Sequence, residues 1–89
     1  MLGAGQLVSA LWKSRHPGSA MGYQFNIYRM SDRTGQVSQL LHSGDLPDLL
    51  KLCQVLATAL AEEPCLSAEH RRSLADLAVK LDAITQTKF

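Results

Sequence analysis

No stretch of this 89-residue chain approaches the ~20 consecutive apolar residues that a membrane-spanning helix needs, so no such helix is expected. An excess of one charge is lacking as well. Nine Lys and Arg against eight Asp and Glu leave +1 with His neutral, and no long-range field draws the chain to nucleic acid or anionic lipid. There are only two cysteines, and the spacing of Cys53 and Cys65 fits neither a zinc ribbon, a redox Cys-x-x-Cys nor haem attachment. No recognised catalytic motif is present. What remains is 46% hydrophobic and 19% charged, a globular composition that argues against disorder, collagen-like repeats and coiled coils. At this length one domain is the ceiling.

The charges divide the chain near Met21. Residues 1–20 hold Lys13, Arg15 and no acid, whereas 21–89 hold seven basic and eight acidic residues. The i, i+4 pairs Leu7 with Leu11 and Val8 with Trp12 suit two turns of amphipathic helix over Gln6–Lys13, followed by a loop at His16-Pro17-Gly18-Ser19. So short a helix is marginal alone, and residues 1–20 are expected to be a flexible or lightly docked extension. Two other readings stand beside it. One is an upstream or vector-derived leader, since Met21 can itself be a start; the other is a targeting or membrane-surface peptide.

Residues 21–89 are expected to form the domain. Tyr23, Phe25 and Ile27 alternate with Gln24 and Asn26, the period of a half-buried strand. Ser31–Gly35 supplies the residues of a three-residue hairpin loop with a glycine bulge, placing a second strand at Gln36–His42. With Asp32 opposite Gln36, Ile27 faces Leu41 and Arg29 faces Gln39 on one side, while Tyr28 faces Leu40 and Met30 faces Ser38 on the other. Asp45 as cap, Pro47 in the first turn and Asp48 near the positive helix end open a first helix. Its apolar residues, from Leu46 through Leu60 and Ala61, cover an arc of roughly 200°, which calls for two packing partners. Glu62-Glu63-Pro64 ends it, and Ser67 caps a second helix over Ala68–Ile84 whose stripe is Leu74, Leu77, Leu81 and Ile84. The connection is short, so the helices should be antiparallel neighbours. The fold class is α+β: a β-hairpin followed by an antiparallel helical hairpin, ordered β-β-α-α.

Two features point outward from this fold. A two-stranded hairpin is unstable alone and leaves unpaired edges, and Tyr28, Met30 and Leu40 form an apolar group with no partner inside so short a chain. These residues are the expected partner-binding surface. The expected state is a homodimer, formed by edge pairing or by packing of that hairpin face; a monomer covered by Leu7, Leu11 and Trp12 is the competing arrangement.

Chemistry-bearing residues are dispersed. Cys53 lies inside the apolar arc of the first helix and Cys65 beyond its end, too far apart for a disulfide, so two reduced thiols and a cytoplasmic location are expected. Cys53, Cys65, His70 and His42 are metal-ligand types without ligand spacing, and no metal or cofactor is expected. His70-Arg71-Arg72 places positive charge in the first turn of a helix, against its dipole. Either Glu62, Glu63 and Glu69 compensate that charge locally, or the three residues contact an anion. Arg29 and Arg33 are expected to be solvated.

Gln24-Phe25-Asn26-Ile27-Tyr28-Arg29 followed by two helices resembles, coarsely, the ribbon-helix-helix repressors, which implies a dimer that inserts a two-stranded ribbon into the major groove. The chain departs from that pattern by a second strand before the helices, a longer first helix and a slightly acidic domain where phosphate contact calls for Lys and Arg. Nucleic acid is therefore not the expected partner. The leading expectation is a non-enzymatic protein-interaction module. Behind the DNA-binding alternative stands an enzyme whose site would form at a dimer interface from His70, Arg71 or His42 and a partner's acids.

Overall fold

The computed structural model of the chain describes residues 2–15, 21–31 and 34–86. An antiparallel sheet of four strands in sequence order, β1 (Leu2–Ala4), β2 (Leu7–Arg15), β3 (Met21–Met30) and β4 (Val37–Ser38), precedes two helices, α1 (Leu46–Leu60) and α2 (Ala68–Thr85). The α+β class, with strands leading and a helical pair following, is as expected. The sheet is larger than expected. Leu7–Arg15 pairs with β3 along its whole length, from Leu7 opposite Arg29 to Arg15 opposite Met21, so residues 2–15, expected as part of an extension with a helix over Gln6–Lys13, instead supply two strands of the sheet; the loop expected at His16-Pro17-Gly18-Ser19 lies outside the described residues.

Glycine makes the first hairpin. Ala4 pairs with Leu7 across the two-residue turn Gly5-Gln6, and Gly5 has φ +59° while no described non-glycine residue has positive φ. These are the requirements of a type II′ turn, which matches the twist of the flanking strands. A side chain at Gly5 would also fall on the Asp48 carboxylate in the first turn of α1.

The second hairpin differs in register from expectation. The Ser31 amide donates to the Gln36 carbonyl at 2.9 Å and the Gly35 amide to the Ser31 carbonyl at 2.8 Å, so Ser31 and Gln36 close a loop of four residues, with Gly35 at φ +69°. Arg29 then faces Ser38 and Met30 faces Val37, a slip of one residue. β4 ends at Ser38, and neither Leu40 nor Leu41 lies across from β3. Arg33 and Asp32 lie outside the described residues.

Alternation divides the sheet into two faces. Leu7, Ser9 and Leu11 of β2 share the inner face with their partners Arg29, Ile27 and Phe25 of β3. Leu7, Leu52 and Leu56 form the buried core, with Leu2, Ala4, Leu11, Ile27 and Leu49 packed around them. α1 thus lies over β1 and β2 and not over the β3–β4 hairpin, because β1 and β2 supply the aliphatic inner face. The wide apolar arc of α1 has its two partners: the sheet on one flank and α2 on the other. Gln54 Nε2 donates to Asp82 Oδ1 at 3.0 Å, and Ala61 and Glu62 lie beside Ala75, so the helices run antiparallel.

The caps are specified locally. Ser67 Oγ accepts from the His70 amide at 3.1 Å, as expected of an N-cap. Asp45 acts differently from the expected cap of α1. Its Oδ2 accepts from the His42 amide at 3.0 Å, and His42 Nδ1 accepts from the Gly44 amide at 3.1 Å, closing a 3-10 turn at Ser43–Asp45 that leads into α1.

Ser9 is fully buried beneath the helices, and its Oγ has no hydrogen-bond partner among the described residues. Desolvating an unpartnered hydroxyl is unfavourable. Ser9→Ala is therefore expected to raise the stability of the fold by about 1 kcal/mol, read as a higher urea midpoint with an unchanged m-value; a midpoint that falls would show the hydroxyl to be bonded.

Candidate interaction surface

With both helices on one side, the other face of the sheet is left uncovered by the described residues. It carries Val8 opposite Tyr28, Ala10 opposite Asn26 and Trp12 opposite Gln24, then Met30 opposite Val37. Trp12 is 44% and Val37 60% exposed, while Tyr28 and Met30 are half-buried by their neighbours within the sheet. Cross-strand contact between side chains accounts for this partial cover. The polar members are amides, and the Asn26 side chain accepts from the Ala10 amide at 3.0 Å.

Of the expected surface residues, Tyr28 and Met30 lie on this face. Leu40 does not join them: the one-residue slip and the early end of β4 leave it off the sheet and 83% exposed. Val8, Trp12 and Val37 belong to the face and were not expected there. The signal for the first two was Gly5, a turn residue before a run that alternates Leu7, Ser9, Leu11 against Val8, Ala10, Trp12.

The edge of β3 is the second element of the surface. β3 is ten residues long and β4 pairs with it only at Arg29 and Met30. At the opposite side of the sheet β1 is short, packed against α1 and paired with β2 only from Leu7 to Ser9, so residues 10–15 of β2 also lack a described neighbouring strand; that stretch carries Lys13 and Arg15, whereas residues 22–28 of β3 carry no charge. A groove lined by Asn26, Ile27, Tyr28, Val37 and Ser38 runs beside the β3 edge.

The inner side of β3 borders an apolar cleft of about 160 Å³ between the sheet and both helices, lined by Phe25, Cys53, Leu60, Leu74 and Leu77 among others. Phe25 is 50% and Leu77 45% exposed. α2 packs on α1 without closing onto β3. A polar bridge fixes one end: the Tyr23 hydroxyl donates to Glu63 Oε2 at 2.7 Å. That hydrogen bond, with burial and the Glu63 charge adding to it, keeps the Tyr23 hydroxyl protonated well above the usual phenol range.

The charged residues are engaged within the fold or dispersed over it. Arg29 Nε lies 3.4 Å from Oδ1 of the buried Asp45. Arg29 is thus not the solvated residue expected, and it ties β3 to the start of α1. His70 and Arg72 are exposed and Arg71 half-buried, with the Arg71 Nε unpartnered among the described residues. Glu63 is taken by Tyr23, and no ion pair joins Glu62 or Glu69 to these residues among those described. Cys53 and Cys65 are free, the first half-buried and the second exposed. Among the described residues no cluster of His, Cys, Asp and Glu can hold a metal ion, and no helix is long and apolar enough to cross a membrane.

No protein-family model, curated protein or solved structure matches the chain.

Proposed function

We propose that this chain is a small non-enzymatic protein-interaction module that works as a homodimer in the cytoplasm, with the uncovered face and open edge of β3 as its contact surface. The observation that carries this reading is the one-sided sheet: Val8, Trp12, Tyr28, Met30 and Val37 collect on a face that neither helix covers. A contiguous apolar patch beside an unpaired strand marks a surface built to meet another chain. Among the described residues the histidines, cysteines and acids gather in no group of three that could hold a metal ion, which supports a binding role over a catalytic one.

Replacing Tyr28 and Val37 together by Glu tests this, since both lie on the uncovered face. The variant is expected to keep its helical circular dichroism and lose association, with light scattering reporting a monomer where the unmodified chain is a dimer. Unchanged assembly in the double variant would contradict the assignment of this surface.

A further inference from the structure

We infer that the dimer is built by two-fold antiparallel pairing of β3 with β3 of a second copy, centred on Phe25, which joins the two sheets edge to edge. This rests on the homodimer reading above and names its seam. The direction of the backbone groups is the starting point. The Met30 amide donates to the Gln6 carbonyl on the β2 side, and the Ser31 amide to Gln36 on the β4 side. In an antiparallel strand successive residues turn their amide and carbonyl to alternate sides. Arg29 therefore faces β4, where Ser38 meets it, and Ile27, Phe25 and Tyr23 present their amides and carbonyls to an edge with no described strand beside it.

Natural sheets protect such an edge with Lys, Pro, a bulge or an inward-pointing charge. Residues 22–28, Gly22 to Tyr28, contain none of the charges or prolines, and β3 pairs with β2 through them without a bulge. The stretch is also self-complementary. With Phe25 opposite the second copy's Phe25, Tyr23 falls opposite Ile27 and each of the three open residues exchanges both hydrogen bonds with a counterpart. Face parity is preserved, so aromatic and aliphatic side chains meet on the inner side and Gln24 meets Asn26 on the outer side, amide to amide. Tyr28 falls opposite Gly22, whose missing side chain leaves room for the ring, the arrangement by which an aromatic stabilises a strand glycine.

The occupant is a second copy because residues 22–28 are their own complement about Phe25, and the edge and the cleft are continuous through that same residue. Phe25 stands at the centre of the open edge and in the wall of the apolar cleft. Pairing at Phe25 covers its exposed half and shields the cleft mouth of both copies, so one event satisfies the backbone and buries the apolar surface.

Amide hydrogen exchange on the full chain, read by NMR below and above the association midpoint found by sedimentation, is the test. The amides of Tyr23, Phe25 and Ile27 are expected to slow about tenfold or more on association, while those of Gln24, Asn26 and Tyr28, bonded to β2 throughout, change little. Phe25→Lys, which places two ammonium groups at the two-fold axis, is expected to weaken association about a hundredfold or more. A dimer whose Tyr23, Phe25 and Ile27 amides exchange at their dilute-solution rates overturns edge pairing and leaves the homodimer reading standing, with the outer face as its seam. A chain that never associates overturns both.

Discussion

A chain cut back to residues 21–89 is expected not to fold. The cut removes β2, which pairs with β3 along nine residues, and with it Leu7, a fully buried member of the three-residue core, together with Leu2, Ala4 and Leu11 packed around it. Leu52 and Leu56 of α1 would then face water, and β3 would keep a partner at only Arg29 and Met30. A domain of this size stands only about 4–13 kcal/mol above its unfolded state, and losing the burial of the four removed aliphatic side chains, roughly 1.5–3 kcal/mol for each of the three leucines, consumes that margin. The expected result is loss of cooperative thermal unfolding and of near-ultraviolet dichroism from the shortened chain. A sharp transition comparable to that of the full chain would show that β1 and β2 are dispensable.

The second large effect is expected at Leu52. It is fully buried, one turn from Leu56, and points from α1 between Leu7 and the surrounding aliphatics of the sheet. Truncation removes contacts on both layers at once, and neither the sheet nor a helix held by α2 can collapse into the gap. Leu52→Ala should therefore lie toward the upper end of the range for such changes, about 3–5 kcal/mol. Each kcal/mol lowers the melting temperature of a domain this size by roughly 4–8 °C, so the loss is large in calorimetry at matched chain concentration, where association contributes equally. By comparison Leu77→Ala, at a half-exposed position on the rim of the cleft, should cost much less. Equal costs at the two positions would contradict the placement of the core beneath β1 and β2.

Much of the helical half was legible because its signals are local. Ser67 caps α2 as its position implied, Pro64 lies in the connection that separates the helices, Pro47 sits in the first turn of α1, and the wide apolar arc of α1 has its two partners. β3 was equally plain from the alternation of Tyr23, Phe25 and Ile27. The run Leu7-Val8-Ser9-Ala10-Leu11-Trp12 was not, because it satisfies helical i, i+4 spacing and strand alternation together. The long-range pairing with β3 decides between them, and only Gly5 announces it locally. The second hairpin failed for a related reason. Ser31–Gln36 admits a loop of three or four residues, and a one-residue slip moves every cross-strand neighbour. After Ser38 the chain turns toward the buried Asp45 carboxylate and its contact with the half-buried Arg29, a pairing between residues far apart in sequence. That route takes Leu40 away from Tyr28 and leaves the β3 edge open. The surface was thus legible through Tyr28 and Met30, while Trp12, Val8 and Val37 depended on strands and a register that local signals do not specify.

Self-association is the claim on which the proposed role turns, and sedimentation equilibrium of the full chain tests it most directly. Across a dilution series up to roughly 100 µM, a range that captures micromolar dissociation constants, the expected mass rises to twice the 9.7 kDa of one chain and stops there, because a two-fold edge pairing closes on itself. A mass that stays at one chain throughout the series would contradict the homodimer, and the uncovered face of the sheet would then have to be the binding site of a different protein.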